Sequence, residues 1–210
     1  MNHIELLIQR YENLKSCQTD IESACEEIIS AFERGNKLLI CGNGGSCSDS
    51  YHIAGELMKG FLKKRPVSET EKNEMKKREP SLSDDTLSKL QKGLPTVVLS
   101  DLVALNTAFA NDVDPNLMFA QQLFGLGKEG DVLLGISTSG NAKNVAEAVR
   151  VAKAMGIKVV GLTGGKGGLL KELSDVSIIV PESETYKVQE LHLPVYHAIC
   201  ATAEEHFFKE

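Results

Sequence analysis

Apolar residues recur at helical spacing twice near the start of the chain: Ile4, Leu7, Ile8 and Leu14, then Ile21, Ala24, Cys25 and Ile28. The spacing predicts two amphipathic helices, over 4–14 and 21–32, with Thr19 or Asp20 opening the second and Gly35 following its end. Their apolar faces need a cover, either this chain's own core or another copy. Five short apolar runs follow, at about 37–41, 95–100, 131–137, 158–163 and 175–180, alternating with helix-patterned segments. Runs this apolar, with no polar alternation, are expected of parallel strands buried on both faces. The pattern predicts an α/β fold: a three-layer sandwich with a five-stranded parallel sheet and an N-terminal helical pair.

Two segments depart from the alternation. Residues 63–93 are rich in charge, Ser and Pro and poor in large apolar side chains, so they read as a surface insertion or lid outside the sheet, carrying one or two short helices. Between the second and third strand runs, helices are expected over 102–110 and 116–124, with a turn at 111–115. The last helix, from about 185 to 208, contains Pro194, which is expected to kink it or to mark a tolerated break. With 210 residues the chain fits a single domain, 1–210, with N-terminal helices over 1–35 and the insertion at 63–93.

Charge narrows the ligand classes. A net charge of −6 without a concentrated basic patch argues against nucleic acid as the main ligand, whereas a small anion needs only a local site. No apolar run approaches the ~20 residues of a membrane span, and the first residues, MNHIELLIQRYENL, lack a signal peptide's apolar centre. The expectation is a cytoplasmic protein without a membrane partner. The five cysteines are scattered without Cys-x-x-Cys spacing, which indicates reduced thiols, not a disulfide framework or a cysteine zinc knuckle.

The candidate chemistry is concentrated in KLLICGNGGSCSDSYHIAGE, residues 37–56. An apolar strand runs into Gly42, Gly44 and Gly45 and then into a helix N-terminus. The backbone N–H groups there, with the Ser46 and Ser48 hydroxyls, suit a phosphate or another oxygen-rich ligand. The segment is neither a P-loop nor a dinucleotide fingerprint. On that helix His52 and Glu56 are four residues apart and share a face, which suits one metal ion, one acid/base pair or a one-turn surface ion pair. A second hydroxyl-rich turn, Ser137, Thr138 and Ser139, follows the third strand run and precedes another helix; it reads as a second phosphate candidate or an ordinary helix cap.

These residues resemble a known family. GNGGSCSDSYHIAGE, EGDVLLGISTSGNAKNV, GLTGGKGG and VQELHLPVYH together are similar to the sugar isomerase (SIS) domains, and among them to the phosphoheptose isomerases. The resemblance implies ketose–aldose isomerisation of sedoheptulose 7-phosphate to D-glycero-D-manno-heptose 7-phosphate, a zinc ion and a homotetramer. It implies His52, Glu56, Gln189 and His197 as metal ligands, with Glu56 and His197 also the acid/base pair. It further implies Asn43, Gly44, Gly45, Ser46, Glu56, Asn111, Asp112, Ser137, Thr138, Ser139 and Gln189 as substrate contacts. The hydroxyl turn is expected to grip the phosphoryl group and Asn43 to Gly45 the sugar. Removing a proton beside a carbonyl and returning one to the next carbon needs a base, an acid and an electrophile, with no organic cofactor. The chain departs from the family pattern at Ala142, where a serine is usual, at Tyr186, often Asp, and in the length of the insertion. The other function that SIS domains serve is a non-catalytic sugar-phosphate regulator or scaffold.

Overall fold

The five apolar runs are strands: β1 Leu38–Gly42, β2 Thr96–Val98, β3 Val132–Ile136, β4 Lys158–Gly164 and β5 Val176–Val180. The computed structural model, which describes residues 2–208, joins them in one sheet in the order β2-β1-β3-β4-β5. Every pairing is parallel; Leu39, for example, lies between Val97 and Leu133. Successive strand residues face opposite sides. Leu38, Ile40, Leu134 and Leu162 therefore enter one core, and Leu39, Cys41, Leu133 and Val159 enter the other. Each fully buried Leu, Ile or Val contributes about 1.5–3 kcal/mol.

The α-helices are α1 His3–Arg10, α2 Gln18–Glu33, α3 Gly45–Met58, α4 Glu69–Arg78, α5 Asp84–Lys89, α6 Val103–Asp112, α7 Met118–Leu126, α8 Lys143–Ala154, α9 Gly168–Leu173 and α10 Thr185–Phe207. Helices α1, α2, α3 and α10 cover the first face of the sheet, while α7, α8 and α9 cover the second. The three layers and the five-stranded parallel sheet are those expected. Among the described residues no helix is long and apolar enough to cross a membrane.

Local differences have identifiable causes. The first helix stops at Arg10 because Tyr11 leaves helical geometry (φ −133°, ψ 74°), and a 3-10 helix over Glu12–Cys17 carries Leu14 and Cys17 into the core. The apolar faces of the first two helices, including Ile4, Leu7, Ile21, Ala24 and Ile28, are buried in this chain's own first core, so another copy is not needed to cover them. Asn111 and Asp112 lie in the last turn of α6, not in a turn after it. No residue of α6 is buried, and Leu102, Val103, Leu105 and Val113 beside and along it are exposed. Helix α10 runs unbroken through Pro194.

The insertion lies outside the sheet as expected and holds α4 and α5. Ser68 and Glu71 form a reciprocal capping box at the start of α4, and Ser83 caps α5. Its two ends are nonetheless packed. Arg65 and Leu87 are fully buried, and Pro66 makes an antiparallel bridge with Gln91. Their burial is tertiary and leaves no periodic signature in so polar a stretch.

Candidate active site

Strands β1 and β3 are neighbours, yet the helices that follow them, α3 and α8, pack on opposite faces of the sheet. The two connections diverge and leave a crevice at the carboxyl ends of the strands, where open parallel sheets take ligands. A cavity of about 170 Å³ occupies it, with Asn43 and Ser46 on one wall and Ser137, Thr138, Ser139 and Ala142 on the other. Both glycine- and hydroxyl-rich turns thus line one cavity. The Asn43 and Asn144 side-chain amides bond each other reciprocally, 2.9 Å in each direction, and bridge the two walls.

The conformation of the first turn requires glycine at one position. Gly44 has φ +54° and ψ −120°, a combination closed to residues with a Cβ, and a Cβ on Gly45 would overlap Gln189 Nε2. In the second turn Ser137 Oγ accepts from the Ala142 amide at 3.4 Å, and Ser139 Oγ from the Asn141 amide at 3.2 Å. Both hydroxyl hydrogens therefore remain available to an oxygen-rich ligand.

Helices α3 and α10 lie side by side and run the same way, with Gly45 against Gln189, Asp49 against Tyr196 and His52 against His197. His52 Nε2 is 3.3 Å from Glu56 Oε1 and 3.4 Å from His197 Nε2. The Glu56 side chain is only 16% exposed, and its second oxygen lies 3.2 Å from Lys59 Nζ. The Phe61 ring lies tilted against His197, with centroids 5.6 Å apart. Burial, reinforced by His52, disfavours the His197 imidazolium and lowers its pKa, against the opposing pull of Glu56. Tyr196 Oη, itself buried, reaches both Asp49 Oδ1 at 3.2 Å and His52 Nδ1 at 3.0 Å.

Of the residues singled out from the sequence, His52, Glu56 and His197 come together. Asn43, Ser46 and Ser137 to Ser139 line the cavity, and Gly44 and Gly45 shape its edge. Gln189 stands apart from the histidines: it rests on Gly45, and eight residues separate it from His197, roughly 12 Å along α10. Asn111 and Asp112 are exposed and bonded to each other at 2.8 Å, and neither lines the cavity. Arg65, Glu204, Asn144, Asp49 and Tyr196, none of them foreseen, hold the foreseen ones. Arg65 donates to the carbonyls of Leu57 at 2.6 Å and Glu56 at 3.2 Å, at the end of α3.

Among the described residues no group of three or more His, Cys, Asp or Glu side chains is placed to hold a metal ion. The two close donor pairs share His52 as their common member. Their separations of 3.3 and 3.4 Å are nevertheless close to the ~3.3 Å between donors sharing a tetrahedral ion at bonds of ~2.0–2.1 Å. Two imidazoles and a carboxylate are donors of the kind zinc takes, so the chemistry of the donor set suits such an ion.

A doubly wound sheet with hydroxyl-rich turns at its switch point and a His-Glu-His cluster alongside defines a SIS-type α/β domain, and the SIS domain profile matches residues 86–164. The phosphoheptose isomerase of Aneurinibacillus thermoaerophilus is 38% identical over 189 residues, covering 90% of this chain and 82% of that protein. That of Helicobacter pylori strain P12 is 38% identical over 196 residues, with 93% and 88% covered. The solved structure of a phosphoheptose isomerase from Neisseria gonorrhoeae superposes with a TM-score of 0.74 at 31% identity, over 97% of this chain and 95% of that one. The chain belongs to the phosphoheptose isomerase family.

Proposed function

We propose that this protein is an aldose–ketose isomerase that converts sedoheptulose 7-phosphate to D-glycero-D-manno-heptose 7-phosphate through an enediol. The observation that carries the reading is the convergence of His52 and Glu56, on the helix that starts in the hydroxyl-lined cavity, with His197 of the neighbouring α10. Six residues separate Ser46 in that cavity from His52, roughly 9 Å along α3. An extended sugar spans about the same distance from its C7 phosphorus to C2, seven bonds at ~1.3 Å of projected length each. A phosphoryl group held by Ser137, Thr138 and Ser139 thus puts the carbonyl end beside His52, whose Nε2 lies 3.3 Å from Glu56 Oε1.

In this pose Asn43, Gly44 and Gly45 hold the sugar hydroxyls. Glu56 removes the proton from the carbon next to the carbonyl and returns it to the neighbouring carbon. His197, kept neutral by its burial, shuttles the second proton between the two oxygens. We also propose zinc, held by His52, Glu56 and His197, with Gln189 as the further donor that the family resemblance implies. A bound ion would supply Lewis-acid stabilisation of the developing enediolate. The proposed assembly is a homotetramer, supported by the exposed apolar surface of α6 and by Phe124, which is 66% exposed.

The test is turnover of sedoheptulose 7-phosphate by protein purified without chelator, with the metal content measured on the same preparation. Absence of turnover by zinc-replete protein would sink the isomerase reading; full turnover by metal-free protein would remove the zinc. A monodisperse monomer in solution scattering at micromolar concentration would remove the tetramer.

A further inference from the structure

We propose that Tyr196 is a positioning residue that sets the tautomer of His52, through a relay in which His52 Nδ1–H donates to Tyr196 Oη and the Tyr196 hydroxyl donates to Asp49 Oδ1. The inference rests on the reading of His52 Nε2 as a donor atom of the active site.

The direction of the relay follows from donor bookkeeping. An ionised carboxylate only accepts, and the phenol has one hydrogen to give. Asp49 Oδ1 lies 3.2 Å from Tyr196 Oη, and among the described residues Asp49 Oδ2 is buried with no hydrogen-bond partner. If the phenol hydrogen pointed at His52 instead, the half-buried Asp49 carboxylate would keep no side-chain hydrogen bond, a desolvation cost for a charged group, whereas Glu56 on the other side of the ring keeps Lys59 Nζ at 3.2 Å whichever tautomer forms. The hydrogen therefore goes to Asp49. Towards His52 Nδ1, at 3.0 Å, the phenol oxygen can then only accept, so Nδ1 carries the proton of the neutral ring. The phenol is poorly placed to swing away: Tyr196 is 1% exposed, and its ring packs edge-on to His52 with centroids 5.4 Å apart.

The consequence lies on the other side of the imidazole. With Nδ1 protonated, Nε2 presents its lone pair to Glu56 Oε1 and His197 Nε2, 3.3 and 3.4 Å away. Two acceptors, one of them a carboxylate oxygen, then face each other at a distance that suits a shared cation. Tyr196 and Asp49 thus prepare His52 to bind such an ion, as an outer partner of a metal-ligating histidine does.

Two measurements test the inference. Nitrogen-15 NMR of the metal-free protein, at a pH where the His52 ring is neutral, should show the proton on Nδ1. In Tyr196→Phe, which keeps the buried ring and removes the hydroxyl, the proton should move to Nε2, where Glu56 can accept it. A proton on Nε2 in the wild type, or an unchanged tautomer in the variant, overturns the proposal, and the wild-type spectrum decides even if the variant fails to fold. Chelator competition should also give Tyr196→Phe an affinity for zinc about 10- to 100-fold weaker than the wild type. Equal affinity, with the fold intact by circular dichroism, overturns the metal-preparing role. Neither readout requires turnover, so a protein with Nδ1–H and no isomerase activity would sink the activity reading alone.

Discussion

Arg65 and Glu204 form a buried ion pair across 139 residues of sequence, with Arg65 Nε 2.8 Å from Glu204 Oε1 and both side chains at most 1% exposed. Neither charge is left short of partners. Glu204 also accepts from the amides of Phe61, Leu62 and Lys63, while Arg65 donates to the carbonyls of Glu56 and Leu57 and stacks over Phe208. The pair thereby ties the end of α3, the start of the insertion and the end of α10 together, directly behind Glu56. Glu204→Gln would leave the guanidinium buried without a counter-charge, so a loss of about 3–5 kcal/mol is expected in denaturant unfolding. A loss under about 1 kcal/mol would show that water reaches the pair.

Two buried carboxylates make stability pH-dependent. At Glu204, burial pushes the pKa up, but the Phe61 and Leu62 amides and Arg65 outweigh it and hold it below the usual range. At Asp131, burial is likewise outweighed by the Lys37 ammonium and by the Lys37 and Lys128 amides. Both folded-state values lie below the unfolded ones of ~3.9 for Asp and ~4.3 for Glu. The stabilisation is therefore complete above about pH 4.3 and is lost as pH falls through the folded values, where the unfolded chain binds more protons. The melting temperature should fall steeply below about pH 4 and less steeply in Asp131→Asn. An identical acid limb in that variant would remove Asp131 from the account.

Glu56→Gln keeps the side-chain shape and removes the proposed base. Exchange of solvent deuterium into the substrate should cease, while binding through the phosphoryl group remains measurable by calorimetry. Exchange at a near-normal rate would assign the proton to another group.

The hydroxyl turn makes a graded prediction. Charge-assisted hydrogen bonds contribute about 1.5–3 kcal/mol each, so Ser137→Ala with Thr138→Ala should raise KM by at least about tenfold. Ala142 lines the same cavity, and Ala142→Ser adds one donor there; KM should fall. If neither variant moves KM, the phosphoryl group sits elsewhere.

Gly45→Ala separates Gln189 from the fold. The new Cβ would overlap only the end of the flexible Gln189 side chain, which can swing aside. Unfolding free energy should change by less than about 1 kcal/mol, while kcat is expected to fall because Gln189 no longer stands beside the glycine-rich turn proposed to hold the sugar. Unchanged kcat would free Gln189 of any role.

The layered sheet was legible because each strand is apolar on both faces and each covering helix on one, a periodicity that survives without knowing any partner. His52 and Glu56 were legible as a pair for the same reason, since four residues on a helix are neighbours by local geometry alone. The helix around Asn111 was misread as a turn because Asn-Asp-Val-Asp-Pro carries turn composition, although Pro115 opens a new 3-10 helix after α6 has already ended. The N-terminal faces left open whether this chain or another covered them; here α10 and the sheet do.

Local order along the chain is enough to specify the elements, the glycine- and hydroxyl-rich turns and the His52–Glu56 pair, because each is set by residues within a few positions of one another. Pairing across the sequence belongs to the tertiary structure. The parallel run of α3 beside α10 brings His197 to His52 across 145 residues, sets Tyr196 between His52 and Asp49, and buries Arg65 against Glu204. A polar side chain in a charged insertion carries no periodic mark of burial. Its environment exists only once distant hydrogen-bond partners have been assembled around it.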